Sequence, residues 1–223
     1  MSGARGFAKV GDGCSGVRRV GPRQSERAVL ARVADRLVAR GIDPLVLLAA
    51  GRSRLGYRHP LPTDGPIGDR AMVVVCGRRH GLIVNLTRWV RFGPARPGEA
   101  DATARILEVE AEYFAATVPG ASVSQVLRVG SAGYAAHGFE VGEWRRHHQG
   151  GPAGYNGRDP RAIPGLPDRV ASGAAFTWNP SAPGAKVEDT VLVTAEGVEA
   201  LTVDPRWPTI SVRGRARPAE LAL

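Results

Sequence analysis

An α+β domain built from two similar halves is the fold class that this sequence predicts. Three observations predict it. Periodic segments run helix, strand, strand, strand, then helix, helix, strand, strand, strand, which suits helices packed on one face of a mostly antiparallel sheet. No short repeat interrupts that order, so a solenoid is excluded. The 223 residues are 43% hydrophobic, enough to bury one sizeable core.

The elements follow in order. Residues 1–22 are rich in Gly and Arg without periodicity and are expected to be a poorly ordered lead-in, leaving residues 23–223 as the domain. Ser25 is placed to cap a helix reaching about Arg40, with Glu26 in its first turn and Leu30, Val33, Leu37 and Val38 as its apolar stripe. Gly41 ends it where a left-handed residue is wanted. Pro44 to Ala50 is a continuous apolar run and reads as a buried strand. Pro60, Pro62, Gly65, Pro66 and Gly68 make Gly51 to Arg70 an irregular loop. Ala71 to Cys76 and Gly81 to Val90 read as strands paired around a Gly77-Arg78-Arg79-His80 turn. Residues 98–117 form a helix buried through Ile106, Leu107, Val109, Tyr113 and Phe114, closed by Pro119-Gly120. Ser124 starts another, running to about His137. Gly138 to Pro167 is rich in Gly and Pro and reads as irregular. Strands recur at Ala174 to Trp178, Glu188 to Thr194, Val198 to Thr202 and Thr209 to Arg213.

The net charge is +9, yet only Lys9 and Lys186 are lysines among the 30 basic residues, and the arginines are scattered rather than clustered with aromatics. That pattern argues against a nucleic-acid partner and favours a small anionic ligand. Cys14 and Cys76 have no metal or redox spacing, and Cys76 is expected to be a buried thiol. Met1 to Gly21 carries no apolar signal-like core, and no apolar run is long enough to cross a membrane. The expectation is a cytoplasmic protein without a membrane partner.

Four motifs occur in order: Gly56-Tyr57-Arg58-His59-Pro60, Asn85-Leu86-Thr87-Arg88, His148-Gln149-Gly150-Gly151 and Glu188-Asp189-Thr190. Together they resemble the superfamily of methionine aminopeptidase, Xaa-Pro aminopeptidase (prolidase) and creatinase, with its pita-bread domain of two pseudo-symmetric halves. The first resembles the loop with the family's substrate-binding histidine, and the second resembles Asp-x-Thr-Arg. The third resembles His-Gly-Ile-Gly, and the last resembles the final metal motif.

The resemblance implies a dinuclear metal site of two Asp, one His and two Glu. Adjacent divalent ions need several anions to offset their repulsion. Here His148 and Glu188 stand at matching places. The first Asp would fall near Val74 to Cys76, where no carboxylate stands. Asn85 replaces the second Asp, and Asn179, before Pro180, replaces the first Glu. Tyr155 stands where a second family histidine is common. The reading is therefore of no metal and no cofactor.

Creatinase, a metal-free member, implies an alternative in which His59 handles the proton, with His148 and Glu188 completing a catalytic set. Arg58, Asn85, Gln149, Tyr155, Arg158 and Asn179 would then bind a small polar substrate. Neighbours on a strand face opposite ways, so only one of Glu188 and Asp189 should point at the site, and Glu188 is taken as that one. Trp144, Trp178, Trp207 and Tyr57 read as core or cavity wall. Two function classes remain open. One is a metal-independent enzyme acting on a small polar or amino-acid-derived substrate; the other is a non-catalytic pseudopeptidase binding a peptide or protein. A metal-dependent Xaa-Pro hydrolase with an atypical site is a further alternative. A homodimer, as in creatinase and prolidase relatives, is expected to cover an exposed apolar edge.

Overall fold

A computed structural model describes residues 20–223. The expected lead-in lies outside the described residues except for its last three, and Cys14 lies outside with it.

The first half opens with α1 (Glu26–Val38), whose N-cap Ser25 accepts a hydrogen bond from the Ala28 amide at 3.2 Å. Gly41 ends the turn at φ +67°. The buried stripe is Val29, Leu30, Val33 and Leu37; Val38, expected in it, is 61% exposed because it lies on the outer face. β1 (Asp43–Ala50) is also less buried than its apolar sequence suggests, with Leu45 and Val46 exposed. The reason is topological: β1 pairs only with β2 and forms a sheet edge. β2 (Arg70–Arg79) and β3 (Leu82–Arg91) pair through Arg79 and Leu82. The expected four-residue turn is thus two residues, His80 and Gly81, both at positive φ. That is the two-residue geometry matching strand twist.

The second half is covered by α2 (Glu99–Ala116) and α3 (Val123–Ala136). Ser122, not Ser124, is the N-cap of α3; the Ser124 hydroxyl instead accepts from the Gly165 amide at 2.8 Å. Beneath lie β4 (Gly150–Ala153), β5 (Ala175–Trp178), β8 (Asp189–Thr194) and β9 (Gly197–Ala200). β6 (Ser181–Ala182) and β7 (Ala185–Lys186) form a small hairpin between β5 and β8. A second hairpin, β10 (Thr209–Val212) with β11 (Arg215–Pro218), precedes β12 (Leu221–Ala222), which lies parallel to β3. β4, β6, β7, β11 and β12 are absent from the sequence-based reading: β6, β7 and β12 are two residues each, and β4 (Gly-Gly-Pro-Ala) and β11 (Arg-Ala-Arg-Pro) lack the β-branched and aromatic residues that mark a strand.

The main sheet has eight strands in the order β1-β2-β3-β8-β5-β4, with β9 beside β8 and β12 beside β3. It is curved and almost wholly antiparallel, the α+β arrangement of two halves. One core packs α1 on β1–β3; the other packs α2 and α3 on β5 and β8. The halves meet where Leu86 pairs with Asp189 and the Thr87 amide donates to the Glu188 carbonyl at 2.9 Å. The candidate site lies at that junction.

Candidate functional site

Glu188 immediately precedes β8 and is buried. Its Oε1 accepts from the Arg158 guanidinium at 2.9 Å. Its Oε2 accepts from the Thr87 hydroxyl at 2.9 Å and lies 3.5 Å from Lys186 Nζ. Burial alone would raise the Glu188 pKa, but the Lys186 ammonium and the Arg158 guanidinium outweigh it and hold the carboxyl below its ordinary range. Asp189 points the other way, to Arg88 at 2.8 Å and Arg217 at 2.9 Å, as strand alternation requires.

The other residues at the matching metal positions are uncharged. Asn85 and Asn179 are both buried, and each leaves a side-chain atom without a partner, Asn85 Nδ2 and Asn179 Oδ1. Cys76 lies across from Asn85 in the β2–β3 ladder, and burial, aided by Glu188, pushes its thiol up to about 11. This donor set does not fit a dinuclear centre. The one carboxylate is already neutralised by two protein cations, and amides and a protonated thiol cannot balance two divalent ions.

Above Glu188 sits a histidine cluster. His59 comes from the loop after the short helical turn Arg52–Arg54. His147 and His148 lie between a second such turn, Glu143–Arg146, and β4. The Nε2 atoms of His59 and His147 face each other at 3.1 Å. The His147 and His148 rings stack with centroids 4.5 Å apart, and His148 stacks on His59 at 5.4 Å. His147 is buried, a participant that sequence reasoning left out; its place beside His148 was the only signal. Burial first, then Lys186, lowers the pKa of His59 and, more strongly, of His147. Burial and Arg158 bring His148 down to about 4. These imidazoles stay neutral where an unfolded chain would protonate them, below about pH 6.5. Their contribution is therefore present above that pH and lost as pH falls toward the folded values. Urea unfolding midpoints should drop between pH 7 and pH 4, with a shallower slope in His147→Gln.

A cleft of about 510 Å³ opens over this cluster, walled by His59, His147, His148, Arg145, Arg161, Trp144, Leu127 and Pro164. A neighbouring cavity of about 650 Å³, more apolar, shares the Leu127, Trp144 and Pro164 walls. The sequence-predicted set divides between these places. His59 and His148 line the cleft. Gln149 reaches its wall, but its side chain is saturated: it accepts from Tyr134 and Tyr113 and donates to the carbonyls of Trp144 and His147. Arg58 is tied to Glu143 and to the Ser181 hydroxyl. Arg158 and Glu188 form the ion pair below the cleft. Tyr155 is 78% exposed and packs beside Gly81, apart from the cleft. Of the aromatic residues, Trp178 and Trp207 are core and Trp144 is wall, but Tyr57 is exposed.

β4 is placed by its glycines. Gly150 has φ +123°, and a Cβ there would lie 2.1 Å from the Thr177 carbonyl oxygen of β5. Gly150→Ala should cost about 3 kcal/mol by strain and overpacking together. Thermal unfolding checks it, and an unchanged midpoint would contradict the close approach.

Residues 11–195 match the family model described as Metallopeptidase family M24. The chain belongs to metallopeptidase family M24. Several solved structures share the fold of this M24 chain. A prolidase from Pyrococcus horikoshii OT3 has TM-score 0.80 and 20% identity, covering 91% of this chain and 61% of that one. An X-Pro aminopeptidase from Thermotoga maritima MSB8 has TM-score 0.80 and 14% identity, with coverage of 100% and 64%. A methionine aminopeptidase from Rickettsia prowazekii has TM-score 0.73 and 14% identity, with coverage of 90% and 95%. The M24 chain thus spans less than two thirds of the prolidase and X-Pro aminopeptidase chains. No curated protein matches it. No helix among the described residues is long and apolar enough to cross a membrane.

Proposed function

We propose that this M24 chain is a metal-independent, creatinase-like enzyme acting on a small polar or amino-acid-derived substrate, and not a dinuclear aminopeptidase. One observation carries the reading: both oxygens of Glu188 are engaged by Arg158, Thr87 and Lys186, so protein cations stand where the family's chemistry needs metal ions. His59, neutral and at the cleft, is the group suited to take a proton from substrate and return it. His147 fixes its ring through the 3.1 Å contact, and His148 stacks against it. Glu188 is a positioning residue, buried beneath the cluster. Arg145 and Arg161 on the wall suit a substrate carboxylate, while Leu127, Trp144 and Pro164 suit an apolar portion.

The test is incubation with Xaa-Pro dipeptides and methionyl peptides, with Mn²⁺ or Co²⁺ and then with chelator. No metal-stimulated cleavage is expected. Cleavage abolished by chelator would sink the reading and restore an atypical metal-dependent hydrolase. The second reading, a pseudopeptidase that binds without turnover, is favoured by one fact: Glu188 does not reach the cleft wall. A homodimer is proposed with it, covering the β1 edge where Leu45 and Val46 are exposed. A monomer by light scattering would remove it.

A further inference from the structure

The chain has five histidines, and three of them converge on one point. One ring nitrogen from each of His59, His147 and His148 lies within 4.8 Å of the other two. Two neutral imidazoles whose Nε2 atoms face each other share a single proton, so one of the two is an acceptor only. Nδ1 of His147 and Nδ1 of His148 are both buried without a hydrogen-bond partner. The cluster therefore holds two of the six buried side-chain nitrogen and oxygen atoms that lack a partner among the described residues. A borderline divalent cation is the ligand that accepts several imidazole lone pairs at once.

The spacing suits one ion. Tetrahedral zinc with its usual Zn–N distances sets ligand nitrogens about 3.3 Å apart. The His59–His147 pair already stands at 3.1 Å. The third nitrogen lies within 4.8 Å of the other two, and the cleft above leaves a coordination position open to solvent. Glu188 takes no part, because its oxygens are already engaged. We propose that His59, His147 and His148 form a binding site for a single borderline divalent ion, Zn²⁺ first, with a ligand set that shares only His148 with the dinuclear centre of the family. The proposal does not rest on the enzymatic reading. An ion bound there takes the His59 lone pair that proton transfer needs, so Zn²⁺ occupancy and His59-dependent turnover exclude each other.

The experiment is calorimetric titration of the full, chelator-stripped chain with zinc chloride near neutral pH. One Zn²⁺ per chain is expected, with no competition from Mg²⁺, which prefers oxygen ligands. His147→Gln should weaken binding at least about tenfold, since even second-shell changes at metal sites cost that much. His80→Gln and His137→Gln should leave it unchanged. His59→Gln, in an exposed loop position, carries the test if the His147 variant fails to fold. Co²⁺ should give a visible absorption band that the same variants remove. No uptake by the folded chain, or equal affinity in His59→Gln and the unaltered chain, overturns the proposal. Zinc binding without any peptide cleavage supports it and leaves the reading of the Glu188 centre standing, so the two fail separately.

Discussion

Glu188→Gln is expected to destabilise the fold by about 3–5 kcal/mol, the usual cost of removing one partner from a buried ion pair. The substitution leaves the Lys186 ammonium and the Arg158 guanidinium facing a neutral amide in the interior. The sign is what makes the experiment informative. In an empty metal centre, clustered carboxylates repel one another, and neutralising one is harmless or stabilising. Here the carboxylate is the sole anion between two cations, so its loss must hurt. Urea unfolding at neutral pH measures the difference, and a variant within about 0.5 kcal/mol of the parent would contradict the ion-pair assignment. Lys186→Met combined with Glu188→Gln should recover part of the loss, because the unpaired ammonium goes too. The pH dependence has a matching sign. The folded Glu188 pKa lies below its ordinary value, so its stabilisation is present above that ordinary value and lost as pH falls through the lower folded one.

Arg217→Met should cost a similar amount, about 3–5 kcal/mol, for the same physical reason at a different place. Arg217 on β11 donates two hydrogen bonds to Glu110 of α2, at 2.6 and 2.7 Å, and one to Asp189 of β8 at 2.9 Å. All three side chains are buried. Asp189 would keep Arg88 and the Thr202 hydroxyl, but Glu110 would keep no cation in contact. Arg217→Met with Glu110→Leu should therefore be markedly more stable than Arg217→Met alone. Chemical denaturation of the pair decides it. A single variant that loses less than about 1 kcal/mol would mean that the network is not what docks the last hairpin.

The two networks also show what a reader of the sequence could and could not see. Strand alternation requires Glu188 and Asp189 to face opposite ways, and the structure puts them on opposite faces, although alternation alone does not say which of them faces the site. The Ser25 cap and the Gly41 stop were legible because each needs a particular residue at a particular backbone state. Asn85 and Asn179 could be set beside the missing carboxylates because the motif order survived around them. Lys186 was not identified as the compensating cation. Its signal was present, since it is one of two lysines in an arginine-rich chain and sits between Ala185 and Val187. What was absent was the β6–β7 hairpin that carries it inward, too short to show periodicity. Gln149 could not be separated from a ligand-binding residue by sequence, because its saturation depends on two tyrosines from α2 and α3. His147 was hidden for the converse reason: burial against His59 is a long-range contact between a loop and a turn.

The Lys186 contact with Glu188 has a consequence for how this fold responds to its surroundings. A diffusible ion stabilises a protein by mass action, so its contribution rises and falls with the free concentration outside. An ammonium anchored through the backbone is never diluted away. The contribution of this one contact to the junction is thus the same under metal starvation as under metal excess.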